Sequence, residues 1–359
     1  AYKRIDYFTK KDLVLSDTII KEAIGTHSYF GEIVSDTVIF NGIEYTINSE
    51  EAQFASTAWK WIQGYTIKTG ANINLDEYNN VFFNMGYISK APRFQNVFDY
   101  DNSMFKAIKN EIVKAVELGY SFRSSLFSAN VNTYYTIWEN KPSKGITYTD
   151  SDDNVIKGNI NGMNALHKGI EMDVAYKVNK KLSIEGLISL GDWIWTSTDT
   201  VRLYDENNNA ILDENNVPVD TAFDAKGVHV GDAAQTQFGL SVRYEPTNSS
   251  YLKLRGTHFA DYYSDFDPLS LYGDNGGRES WVIPSYQLFD FHTGYKLKIF
   301  DDKTLDIKFS ILNLFNEIYI SDAQNNDSYN SSSSDFDAKS AGVFFGLGRR
   351  FNLSAKFTF

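Results

Sequence analysis

The 359 residues carry 46 Asp and Glu against 34 Lys and Arg, a formal charge of -12, and no basic block, which excludes nucleic-acid binding through phosphate neutralisation. The absence of Cys removes disulfides, thiol catalysis and Cys-ligated zinc. Mean hydropathy is low and no run of about 18 apolar residues offers a membrane-crossing helix, yet the chain holds 26 Phe, 23 Tyr and 6 Trp, an aromatic excess unusual for a soluble domain.

The chain opens on AYKRIDYFT, residues 1–9, which lacks the basic-then-apolar build of a secretory signal and reads as a strand. Helical spacing is confined to two short pieces, 16–22 and 103–109. Alternation with period two, the mark of a strand with two unlike faces, dominates the rest. It covers 64–75, 80–88, 112–123 and 127–138. Ile170, Met172, Val174, Tyr176 and Val178 then alternate with Glu171, Asp173, Ala175 and Lys177. After 182–190, Phe238, Leu240, Val242 and Tyr244 alternate with polar residues. After 252–260, Phe289, Phe291, Tyr295 and Leu297 alternate with Asp290, His292, Lys296 and Lys298. The stretch 305–311 follows. The last segment puts Phe351, Leu353, Ala355, Phe357 and Phe359 on one face and Arg350, Asn352, Ser354, Lys356 and Thr358 on the other. With 1–9 the count is about twelve strands.

The connections alternate between tight and long. Tight ones fall near 76–79, 123–126, 178–181, 246–250 and 300–303, with turn residues such as Asp76, Asn79, Asn179, Asn248, Asp301 and Asp302. Long ones cover about 10–56, 91–110, 140–164, 205–234, 267–283 and 323–341. Up-and-down strands with short turns at one end and long loops at the other describe an all-β, antiparallel transmembrane β-barrel with short periplasmic turns and long extracellular loops. Tyr and Phe on the apolar face, often near strand ends, fit its interfacial girdles. Mid-strand charges on the other face suit a water-filled lumen and would be costly in a packed core. On this assignment Tyr244, Phe289, Phe291, Phe357 and Phe359 face lipid, and Arg243, Lys296, Lys308 and Lys356 face the lumen. A soluble β-sandwich or propeller is the competing reading; the loop asymmetry and the lack of a blade-length repeat stand against it. Phe351, Leu353, Phe357 and Phe359 make the closing strand a candidate barrel-assembly signal.

GYTIKTGANINLDEYNNVFFNMGYISKAPRFQNVF (64–98), NEIVKAVELGYSFRSSLFSANVNTYYTIWENKP (110–142), ALHKGIEMDVAYKV (165–178), ILNLFNEIYISDA (311–323) and GRRFNLSAKFTF (348–359) resemble the C-terminal half of TonB-dependent outer-membrane receptors, those of Bacteroidetes-type bacteria in particular. The resemblance covers nearly the whole chain. It implies a 22-stranded barrel in a Gram-negative outer membrane, with an N-terminal plug and a TonB box that this chain does not show, so 1–359 reads as the C-terminal barrel region. It implies ligand-gated import of a nutrient into the periplasm, driven by the TonB complex through the plug, with no cofactor and no enzymatic step. The implied partners are the barrel-assembly machinery, outer-membrane lipid and lipopolysaccharide, and a surface lipoprotein lid. The alternative is a complete twelve-stranded barrel acting as a passive pore or translocator.

Aromatic residues near the extracellular strand ends are the candidate ligand contacts: Trp138, Trp193, Trp195, Tyr262, Tyr263 and Trp281. Girdle rings are the bland reading of the same residues. The tandem DENNNAIL (205–212) and DENNVPVD (213–220), and TDSDDN (149–154), cluster oxygens that could hold Ca²⁺. They lack the EF-hand spacing and read better as solvated hairpin tips, so no metal site is expected. The five His form no HExxH, and His258 and His292 fall on opposite faces of neighbouring strands, which speaks against a catalytic pair.

Overall fold

The computed structural model describes residues 1–2, 5–7, 37–40, 43–46, 53–56, 58–97, 109–141, 146–149, 153–160, 162–207, 209–300, 303–325 and 341–359. The predicted helical piece 16–22 lies outside them, as does 103–109 except for Lys109.

Eleven long strands form one antiparallel meander in which each pairs with the next. They are β1 (Tyr65–Asn74), β2 (Asn79–Lys90), β3 (Glu111–Arg123), β4 (Phe127–Lys141), β5 (Met163–Lys177), β6 (Leu182–Trp195), β7 (Ala234–Thr247), β8 (Ser250–Tyr263), β9 (Tyr286–Lys298), β10 (Thr304–Leu312) and β11 (Arg350–Thr358). A two-residue strand, Val282–Ile283, adds to the end of β8. Most strands match the roughly 9–11 residues that a tilted strand needs to cross a bilayer, or exceed them. Among the described residues β1 and β11 each pair on one side only.

The expected twelfth strand is not part of this sheet. In segment 1–9, Ile5–Tyr7 pairs with Gln53–Ser56, and Tyr2 bridges Lys60. A three-residue strand is too short to span, and the Tyr2 hydroxyl ties the chain to the Pro92 carbonyl at 2.6 Å, beside the loop end of β2.

The register confirms the two faces. Val81, Tyr120, Val131, Met172, Ile188, Phe238 and His258 follow one another across the apolar face from β2 to β8. Tyr244, Phe289, Phe291 and Phe357 lie on this face too. Arg243, Lys296, Lys308 and Lys356 lie on the polar one, as expected. His258 and His292 are on opposite faces. No described residue covers the apolar face: Leu118, Leu240, Leu254 and Leu353 are all exposed, which suits lipid as solvent and would be prohibitive in water.

Aromatic rings edge this band at both ends. Near the tight turns Tyr78, Phe122, Phe127 and Tyr176 form a chain with centroids 6.0–6.4 Å apart. Near the long loops Tyr65 stacks on Tyr87 at 5.7 Å. Tyr135 lies eight residues along β4 from Phe127, about 26 Å at the usual rise per residue. The tight turns are closed by the side chains the sequence supplies. Asp76 accepts the N–H groups of Tyr78 and Asn79 at 2.7 and 2.8 Å, and Asn179 accepts those of Lys181 and Leu182. Four glycines, Gly119, Gly169, Gly256 and Gly294, sit directly opposite Phe82, Tyr134, Phe289 and Tyr251. Each ring lies where a Cβ would be, covering the backbone of its neighbour.

The long loops are not a set of separate solvated tips. Parts of two of them form a four-stranded sheet in the order Asp220–Asp224, Thr198–Tyr204, Val155–Ile160, Ile146–Thr149. Ile156, Ile160, Val201, Leu203 and Phe223 point from it into a hydrophobic core shared with Met163, Ala165 and Trp195 of the barrel strands, and with Phe266 and Leu271 of the β8–β9 loop. The loop before β11 carries its own hairpin, Ile320–Asn325 with Ala341–Phe345.

The tandem echo has a simple basis. Asp205 and Asp213 each close a hairpin tip, Asp205 on Asn209 (N–H at 2.7 Å) and Asp213 on Asn215 and Val217 (2.8 and 2.9 Å). Leu203, Ile211 and Val219 then hydrogen-bond in succession as a small meander.

Candidate ligand-facing surface

The polar face of β4, β5 and β6 ends, on the long-loop side, in a row of rings. Thr136 and Trp193 flank His167 in register, and Trp138 and Trp195 flank Ala165. His167 therefore lies between Trp138 and Trp193, with centroids 6.1 and 5.6 Å away. The Lys141 ammonium sits 4.7 Å from the Trp138 ring and 5.1 Å from the Trp195 ring, a double cation–π contact. Each indole N–H of the half-buried pair has a partner. Trp138 donates to Glu111 at 2.8 Å, whose other oxygen accepts from Lys90 at 3.0 Å, and Trp193 donates to the Tyr134 hydroxyl at 2.8 Å. Gln235 brackets the Trp193 backbone, accepting its N–H and donating to its carbonyl. The His167 Nδ1 and Trp195 Nε1 atoms are buried without a partner among the described residues.

The structure thus brings three of the six predicted contact residues together, but mainly as the root of the loop core. Trp195 is 9% exposed and meets Phe266 edge-on, and Trp138 and Trp193 pack partly against the same core. Tyr262 is buried in a second cluster with Ile283 and Ala323, against which Trp281 packs, and its hydroxyl donates to the Ser321 carbonyl at 2.9 Å. Tyr263 points elsewhere. It stacks on His229 at 4.1 Å with the rings 5° from parallel, and the His229 ring pairs with Glu279. The six residues do not converge on one site. Partial exposure is kept by Trp138 and Trp193 on either side of His167, by Tyr263 on His229, and by Trp281.

Sequence reasoning missed His167, Lys141 and Glu111. Alternation alone puts His167 on the polar face, but only pairing shows which rings flank it. His229 and Glu279 come from two different loops, 50 residues apart, and no local signal joins them.

Outside the spanning strands, burial pushes the Asp199 carboxyl up while its bond from the Ser197 hydroxyl (2.6 Å) opposes the shift. The hairpin-tip carboxylates move the other way, Asp205 held low chiefly by the Asn209 side chain and Asp213 by the Val217 N–H. Among the described residues no three His, Asp or Glu side chains are grouped to hold a metal.

A meander with one lipid-compatible face, one charged face, short turns and a folded loop cap defines the wall of a membrane β-barrel. The chain belongs to the family described as TonB dependent receptor-like, beta-barrel, whose model matches residues 17–314. Among solved structures it is similar to the copper transporter OprC (10% identity, TM-score 0.52, covering 81% of this chain and 39% of that one). It is also similar to the FrpB iron transporter from Neisseria meningitidis, F3-3 variant (17% identity, TM-score 0.51, covering 81% and 38%). The chain spans under half the length of either. Comparison with curated proteins gives no match.

Proposed function

We propose that this chain is the C-terminal barrel region of a TonB-dependent receptor of a Bacteroidetes-type outer membrane, importing a nutrient ligand into the periplasm. The observation that carries the reading is the loop cap. All five long loops emerge at one end of the meander and two of them fold with a third around a common core, building a ligand-selecting surface at the rim of a polar wall. The half-exposed rings Trp138, His167, Trp193, Tyr263 and His229 are the proposed ligand contacts, with Trp195, Tyr262 and Trp281 holding them in place. At 10–17% identity the similar structures speak for fold and not for cargo, so glycan, peptide and siderophore ligands stand equally.

The proposed partners are a TonB complex acting through a plug, the barrel-assembly machinery at Phe351, Leu353, Phe357 and Phe359, outer-membrane lipid and lipopolysaccharide, and a surface lipoprotein. The work is binding and gated passage, with no catalytic step. A self-contained twelve-stranded pore is the weaker reading, since it needs segment 1–9 as a barrel strand.

The Cys-free sequence makes the test clean. Asn215→Cys at a loop tip should react with a membrane-impermeant maleimide on intact cells, and Glu77→Cys in a tight turn should react only after lysis. The reverse pattern would overturn the orientation. Uptake in cells carrying the intact gene should stop with a protonophore; uptake that continues identifies a passive pore.

A further inference from the structure

Lys141 breaks the alternation of β4. By parity it would follow Glu139 onto the apolar face, but Asn140 is left-handed (φ 55°) and turns it onto the rings of the polar one. The turn is held on both sides. The Asn140 N–H donates to the Asn164 side chain at 2.9 Å, and the Asn140 amide donates to the Asn110 carbonyl at 3.1 Å. The Lys141 ammonium is half-buried, and among the described residues it forms no hydrogen bond or ion pair. Its neighbours are the Trp138 and Trp195 rings. The carboxylates that bear on it, Asp232, Asp265 and Glu111, act through space, and Glu111 is already taken by Trp138 and Lys90. Ring faces replace only part of the water that an ammonium gives up, and they leave its N–H groups unused. Two further groups beside it are in the same position. Trp195 is 9% exposed, His167 feels the Lys141 charge, and the Trp195 Nε1 and His167 Nδ1 atoms are both shielded from water with no partner among the described residues.

We propose that Lys141, Trp195 and His167 form a subsite for a single carboxylate carried on a flat ring of the imported ligand. An ammonium and an indole N–H can only donate, and the imidazole donates in its Nδ1–H tautomer, so the group they take is an oxyanion. One ammonium in the field of three carboxylates suits a single negative charge and disfavours the two of a phosphate. Trp138 and Trp193, half-exposed on either side of His167, offer ring faces next to that charge, which places the carboxylate on a ring. The inference rests on the import reading and narrows it, selecting from the open classes of cargo one that presents an acidic ring. Uptake that survives a protonophore would overturn import and leave the subsite standing. Failure of the binding test would remove the subsite and leave import.

The test uses the protein purified in detergent from cells carrying the intact gene, with benzoate, benzyl alcohol, acetate and phenyl phosphate as probes read by saturation-transfer NMR. Benzoate should bind. Benzyl alcohol and acetate should each bind about tenfold more weakly, because one keeps only the ring and the other only the charge. Phenyl phosphate should bind no tighter than benzoate. Lys141→Gln should lower benzoate affinity about tenfold and leave benzyl alcohol unchanged, at unchanged circular dichroism. Lys141→Arg, which keeps the charge and stacks on indole, should retain most of the benzoate affinity. Lys168→Gln, on the apolar face, should bind as the wild type does. The wild-type probe series decides alone if a variant misfolds. No benzoate binding, equal binding of benzoate and either benzyl alcohol or acetate, or a preference for phenyl phosphate would each overturn the inference. So would wild-type affinity in Lys141→Gln, or a loss in Lys141→Arg as large as that in Lys141→Gln.

Discussion

Asp290, in the middle of β9, accepts the backbone N–H of Asn313 at 2.9 Å, and through that bond fixes the point where β10 ends and the NLFNEIY stretch begins. Its second oxygen takes the Arg255 guanidinium of β8. Asn313 has a left-handed backbone (φ 51°), and its side chain closes the turn on Glu317, accepting the N–H and donating to the carbonyl, both at 2.8 Å. Asn316, also left-handed, accepts the Arg349 N–H at 2.9 Å and so reaches the start of β11. NLFNEIY is therefore a staple between the last two strands and the two before them.

Asp290→Ala should remove that staple. Asp290 is 8% exposed, so the Asn313 N–H is left buried without its acceptor, at a cost of about 1–3 kcal/mol. Asp290→Asn keeps an acceptor and should lose less. Urea midpoints of the detergent-folded chain separate the two, and equal losses would place the effect on the Arg255 pair instead.

The ring-over-glycine pairs predict overpacking. A Cβ on Gly119 would lie 2.1 Å from the Phe82 ring, so Gly119→Ala should cost about 1–3 kcal/mol. Adding Phe82→Leu should recover part of the loss. Additive losses in the double-mutant cycle would mean that the ring and the glycine are independent.

Faces can be checked by charge. Val242→Arg, on the apolar face, should cost about 2–4 kcal/mol if it meets the bilayer midplane, whereas Asn352→Arg on the polar face of β11 should be nearly neutral. Folding yields in lipid vesicles report both, and similar yields would refute the assignment.

Two pH effects of opposite sign follow in the loop cap. Asp199 has a raised carboxyl, so its contribution favours the fold at low pH and is lost as pH rises from the usual carboxylate range through its own higher value. Asp199→Asn, which still accepts the Ser197 hydroxyl, should make the cap more resistant to proteolysis at neutral pH. Asp205 and Asp213 are held low, so their contribution is present above the usual range and lost as pH falls through their folded values. Hydrogen exchange at the Asn209 and Val217 amides should show protection fading in that acid window, and constant protection would contradict it.

The barrel sheet was legible because one side of every strand meets lipid and the other meets water. That contrast writes itself as period two from Tyr65 to Phe357, and register follows from it. Segment 1–9 shows the limit: AYKRIDYFT alternates like a barrel strand, but alternation does not say what a strand pairs with. The cap was missed for a different reason. Its strands of four to seven residues bury Ile156, Val201 and Phe223 against one another from loops far apart in the chain, while the DENN repeats between them advertise solvent. Trp195 looked like a rim residue because its position at a strand end was visible and the loop core that covers it was not.

Because Met163, Ala165 and Trp195 belong at once to the wall and to the core above it, the cap is clamped to its support the way a bracket is bolted to a beam. Twisting or widening the wall must tilt the cap as one stiff body. The freedom to recognise a new cargo is then confined to the skin of the bracket, in positions such as Thr200 and Asn215 that can change without loosening the bolts.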